Sequence, residues 1–129
     1  MTTESSEIGF YRADTFLIRF KSDKLVGIQE AKIMNDKLMS LANGKSFYFI
    51  VDALNVQSNM TTEAQKYFSK ESEIAHYNLG MGILLNNLPI RLTASVFMKF
   101  HKPIYPTKIF SNYADALRWI DSLIAKSPN

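Results

Sequence analysis

The chain contains no cysteine, which excludes a disulfide framework, a thiolate zinc centre and a cysteine nucleophile. Glycine and proline are scarce, at five and four residues out of 129, so low-complexity and extended disordered segments have little room. No run approaches the ~18 apolar residues that a membrane span needs, and the first residues, MTTESSE, are polar and acidic where a signal peptide is basic and then apolar. The expected compartment is therefore the cytoplasm, with no membrane span. Acidic side chains are missing between Glu73 and Asp115, a stretch that carries Arg91, Lys99, Lys102 and Lys108 with His76 and His101. The net charge is only +3, so the basic character is local. It reads as a solvated helix end with lysine stems over apolar surface. Nucleic acid is not an expected partner, because phosphate readers carry denser clusters.

What is present suits one globular domain: 47% hydrophobic and 21% charged residues in 14.7 kDa, enough chain to bury a core without metal or cross-links. The expected organisation is a disordered tip over residues 1–6 and one α/β domain over 7–127. The stretch Lys45 to Phe68 organises the rest. Phe47 to Val51 is a continuous aromatic and β-branched run, the composition of a strand buried on both faces of a parallel sheet. It closes at Asp52. A polar loop follows, and Thr61, Thr62 and Gln65 announce a helix start, read as a capping box from Thr62.

Before that stretch, Glu7 to Arg12 and Thr15 to Lys21 are two short strand-like runs split by Ala13-Asp14, which predicts a hairpin. Ile28, Ala31, Met34, Leu38 and Leu41 recur at helical spacing, and Asn43-Gly44 closes that helix. After it, a second helix is predicted from Thr62 to about Tyr77, then a strand over Leu79 to Leu85. Pro89 suits the first turn of a third helix. That helix is apolar around most of its circumference: Leu92, Val96 and Phe100 are read as the face on the sheet, leaving Ile90, Phe97 and Met98 on other sides. Such a helix is covered on more than one side. Thr107 to Phe110 is a last short strand, and Ser111 or Asn112 caps a final helix. The order β-β-α-β-α-β-α-β-α predicts a mixed five-stranded sheet, its first strand antiparallel to the second and the other four parallel.

This order, with Asp52 ending the third strand and a helix start about nine residues later, resembles the STAS fold of the anti-sigma-factor antagonists. The segment MKFHKPIYPTKIFSNYADALRWI and the IVD at 50–52 are similar to a small bacterial STAS-like family of unknown function. In the antagonists a phosphorylated serine lies at the start of the second helix, and the resemblance places Met60, Thr61, Thr62 and Glu63 there. Two hydroxyls are present. The neighbouring acid and glycine of the antagonists are Met60 and Glu63 in this chain.

Catalytic signals are few. Gly80-Met-Gly82 lies inside a predicted strand rather than before a helix, so it is read as close packing and not as a phosphate fingerprint. His76 and His101 lack the spacing of metal ligands, and no metal or cofactor is expected. Asp52 has no second carboxylate or histidine in register for acid–base work. Asp52, Asn55, Asn86, Asn87, Ser111 and Asn112 gather at the carboxyl ends of successive strands, where caps and turns need the same residue types as a polar pocket. The leading expectation is a non-enzymatic STAS-like interaction or regulatory module with an unidentified protein partner, working through Asp52, Asn55, Thr61 and Thr62. The alternative is a carrier of a small apolar, lipid-like ligand, with Ile90, Phe97, Met98 and Tyr105 lining a cleft. The same four residues mark a possible homodimer surface, and a hydrolase using Asp52 ranks third.

Overall fold

In the computed structural model, which describes residues 1–21, 24–54, 56 and 60–127, five strands form one sheet in the spatial order of the sequence. They are β1 (Ser6–Arg12), β2 (Thr15–Phe20), β3 (Phe47–Asp52), β4 (Asn78–Leu84) and β5 (Thr107–Phe110). β1 pairs antiparallel with β2, and the other three pairings are parallel. A mixed sheet of this order follows from a hairpin and three successive crossovers, each returning on the same hand. The connecting helices α1 (Ile28–Ala42), α2 (Thr62–Lys66) and α3 (Leu88–Phe100) therefore share one face, and α4 (Tyr113–Lys126) covers the other.

The central position of β3 explains its composition. Residues Phe47 to Val51 are all buried, with Phe47, Phe49 and Val51 packed towards α1 and Tyr48 and Ile50 towards α4. On the α1 side Phe16 stacks on Phe49 and Phe10 with ring centroids 5.2 and 4.7 Å apart. Gly82 lets α4 approach: a β-carbon there would sit 3.3 Å from Cβ of Ala116. The helix α1 ends on two left-handed residues, Asn43 and Gly44, with φ of 51° and 78°.

Three expectations change here. The tip over residues 1–6 is packed, not disordered: Thr3, Ser5 and Ser6 are buried, and Thr2 bridges to Glu7. The cause is Glu30 on α1, whose Oε2 accepts from the hydroxyls of Thr3 and Ser5 and from Ser5 N–H. The second helix is not continuous to Tyr77. After Lys66 it widens into a π-helical turn over Tyr67–Glu71 and resumes as a 3₁₀ turn over Ile74–Tyr77. The Ser69 hydroxyl donates back to Gln65 O, Ser72 N–H reaches Tyr67 O, and the buried Asn35 of α1 accepts from Ile74 N–H. Interruptions of this kind arise where side chains compete for the helix ladder. The third change concerns α3, whose two apolar stripes are exchanged. Leu88, Leu92, Val96 and Phe100 point outward, Phe100 with 80% exposure, while Ile90, Ala94, Phe97 and Met98 face the sheet.

Candidate functional site

Two places on this scaffold bring the predicted residues together. The first is the space between α3 and the sheet. None of the residues of α3 is fully buried, and the helix stands off the strands over a half-open apolar cavity of about 180 Å³. Ile90, Phe97, Met98 and Tyr105 all line it, opposite Phe49, Val51, Met81 and Ile83 of the central strands. Native interiors leave few voids larger than a water molecule, and an apolar cavity of ~150 Å³ suffices to hold a benzene ring. Two polar groups at its border are satisfied internally. The Tyr105 hydroxyl donates to Phe68 O at 3.0 Å, and Ile104 N–H donates to Ser69 O at 3.0 Å. Both acceptors lie in the π-helical turn. Burial pushes the Tyr105 phenol well above its ordinary range, so it stays neutral and a donor.

The connection 102–106 thus folds back and shuts one end of the cavity with Pro103 and Tyr105. At the other end α3 is fixed by its cap, Asn87 Oδ1 accepting from Ile90 N–H at 3.1 Å. Arg91 adds a tie to the turn before α4, donating to Ser111 Oγ at 2.8 Å and to Leu85 O at 3.4 Å.

The second place is the carboxyl end of β3. Asp52 has a side chain only 14% exposed. Its Oδ1 accepts from Leu54 N–H at 3.1 Å, and its Oδ2 accepts from the Tyr113 hydroxyl at 2.5 Å and lies 3.6 Å from Arg19 Nε. The phenol of Tyr113 is raised, first by burial and then by its bond to the Asp52 carboxylate. Both oxygens of Asp52 are therefore engaged in holding β2, β3 and the start of α4 together. Asn55 lies outside the described residues. Thr61, not Thr62, is the N-cap of α2, its Oγ1 accepting from Ala64 N–H at 3.2 Å, and Gln65 donates to Met60 O instead of closing a capping box. Thr62 is exposed one residue on. Asn87 and Asn112 serve as helix caps, and Asn86 is exposed. The strand-end residues thus divide between caps and ties. Among the described residues no group of three or more histidine, aspartate and glutamate side chains is placed to hold a metal ion.

Sequence reasoning missed Tyr113 and Arg19 as partners of Asp52, Asn35 as the brace of the broken helix and Lys24 at the cavity border. The available signal was weak: parallel pairing of β2 with β3 sets Arg19 beside Asp52, which a strand register read from sequence alone would have implied.

A family model described as a domain of unknown function, DUF7793, matches residues 11–124. Among solved structures, the chain is similar to an uncharacterised protein of the DUF3478 family with a SpoIIAA-like fold from Shewanella loihica PV-4. The TM-score is 0.64 at 15% identity, over 92% of this chain and 98% of the other. No curated protein matches the chain. The likeness establishes a STAS-like, SpoIIAA-like fold.

Proposed function

Because the chain belongs to this DUF7793 family, we propose that its SpoIIAA-like fold serves as a non-enzymatic binding domain that holds a small apolar molecule between the sheet and α3. One observation carries the reading: the apolar cavity of about 180 Å³ bounded by Ile90, Phe97, Met98 and Tyr105. A domain folded only for stability gains by closing such a space, since apolar surface left against water forgoes roughly 25 cal/mol per Å². Here α3 is instead held off by ties at both ends, through Arg91 and through the 102–106 connection. No helix among the described residues is long and apolar enough to cross a membrane, and a cytoplasmic carrier or sensor suits that. Native mass spectrometry of protein purified from its own host tests the proposal. A bound small molecule, absent from an Ala94→Phe variant that fills the cavity, is the expected result. Bare protein mass alone from host-purified material would overturn it.

A second reading, a protein-interaction or regulatory module, rests on a different feature. Leu88, Leu92, Val96 and Phe100 form an exposed apolar stripe that Ile104 extends, interleaved in the sequence with Arg91, Lys99 and Lys102 and with no acidic residue between Glu73 and Asp115. Patches of this kind mark interaction surfaces. A homodimer through this face would bring two basic borders together, so an acidic partner protein fits it better. Asp52, Asn55, Thr61 and Thr62 belong to the same reading as a recognition or regulatory edge, with Thr62 the exposed hydroxyl. A pull-down that loses its partner with Leu92→Glu supports this module, and one that keeps it counts against it. Catalysis by Asp52 ranks last, because both of its oxygens are occupied by structural donors.

A further inference from the structure

The shape and charge of the cavity narrow the kind of molecule it takes. Asn78, Met81, Ile83 and Leu85 all border it, so it follows β4 from one end to the other, roughly 23 Å at ~3.3 Å per residue. An apolar space that follows one strand along its length suits an extended chain. Its ends differ. Beside Asn78 it is shut by Tyr105 and Pro103, with the Tyr105 hydroxyl and Ile104 N–H both bonded to the π-helical turn. The opposite end lies at the carboxyl edge of the parallel strands, and Lys24, Val26, Val56 and Met60 line it there.

Lys24 is the one charged side chain among the described residues that line the slot. It is exposed, and it forms no ion pair with another described residue. Neighbouring Val26 is buried and its carbonyl is bonded by Thr61 N–H at 2.9 Å, which anchors the segment carrying the lysine beside the start of α2. An ammonium on a flexible stem at the mouth of an apolar slot complements a single negative charge on the end of a chain.

We propose that the ligand is a single-chain amphiphile with one anionic head, a monocarboxylate of the fatty-acid type, its chain lying along β4 and its carboxylate at Lys24. The inference rests on the cavity reading above and adds the head group and the chain shape. Calorimetric titration of delipidated protein with decanoate and with decanol separates the two claims. The wild type should bind decanoate about fivefold more tightly than decanol, the scale of a partly exposed ion pair. Lys24→Met should erase that preference at an unchanged melting temperature, and Ala94→Phe should bind neither. Equal affinity of the wild type for the acid and the alcohol overturns the anionic head and leaves the cavity reading standing. Failure of the wild type to bind either compound overturns both.

Discussion

The hydroxyl of Tyr113, at the first turn of α4, donates a 2.5 Å hydrogen bond to Oδ2 of Asp52 at the end of β3, joining residues 61 positions apart. The bond fastens α4, the one helix on its face of the sheet among the described residues, to the central strand. Hydrogen bonds to a charged, largely buried acceptor contribute more than neutral ones, so Tyr113→Phe should lower stability by about 1–2 kcal/mol. Asp52→Ala should cost more, since Leu54 N–H loses its acceptor as well. Urea unfolding curves of the two variants check the order. Midpoints equal to wild type in both would show that the edge is held by other contacts.

Glu30 couples the N-terminal residues to pH. Burial alone would raise its carboxyl, but the bonds donated by Ser5 and Thr3, with the charge of Lys21, outweigh it and hold the group below its ordinary value. A carboxylate depressed in the folded state contributes stability that is complete above its unfolded pKa of ~4.3 and disappears as pH falls through the folded value. Protection of the Ser5 and Ser6 amides against exchange, relative to the intrinsic rate at each pH, should therefore fall below about pH 4 in the wild type. In Glu30→Gln the protection should be lower already at neutral pH and change less on acidification. Protection that is high and the same at every pH in both proteins would contradict the docking.

The features legible in the sequence are those set by local composition. The run FYFIV could only be a strand covered on two sides, and it is the fully buried centre of the sheet. Helical periodicity found α3 but could not orient it: the stripe of Leu92, Val96 and Phe100 and the stripe of Ile90, Phe97 and Met98 are equally apolar. Which one faces inward depends on where the ties from Arg91 and Tyr105 fall. The tip failed for the converse reason. Thr3, Ser5 and Ser6 have the composition of a solvated end, and they become buried because one carboxylate 25 residues away accepts from Ser5. Likewise, the break after Lys66 needs Asn35, a partner 39 positions from Ile74. At the candidate site, the four cavity residues were readable as surplus apolar surface, whereas the pairing of Asp52 with Tyr113 and the place of Lys24 come from tertiary geometry.

The two glycines of β4 should respond differently to substitution. A β-carbon at Gly80 would meet Leu123 Cδ1 at 2.6 Å, the far end of a side chain that can change rotamer. At Gly82 it would meet Ala116 Cβ at 3.3 Å, which cannot move unless α4 moves. Gly82→Val should therefore destabilise by about 1–3 kcal/mol as an overpacked core does, and Gly80→Ala by less than about 1 kcal/mol. Trp119, whose ring lies 5.7 Å from Phe110, reports the cause: its emission should shift in the valine variant and stay constant in the alanine variant. Constant emission in both would place the strain elsewhere than in α4.

Exchanging the stripes of α3 gives the most direct test of its orientation. Leu92 and Val96 are 59% and 54% exposed, so replacing both by serine removes little burial, and the effect on stability should stay within about 0.5 kcal/mol. Phe97 is half-buried over the cavity, against Met81 and Ile83 of the sheet lining. Its replacement by serine should cost about 1–2 kcal/mol, less than a fully buried phenylalanine because one side already faces open space. The outward pair should also raise solubility, since it breaks up a stripe that runs from Leu88 to Ile104. A charged residue at Phe97 or Met98 would enter the cavity, so loss of self-association in such a variant would follow from unfolding and not from a removed interface. Chemical denaturation and sedimentation of Leu92→Ser with Val96→Ser beside Phe97→Ser distinguish the cases. A larger stability loss from the outward pair would mean that α3 packs with the opposite face on the sheet, and the cavity with its ligand would have to be abandoned.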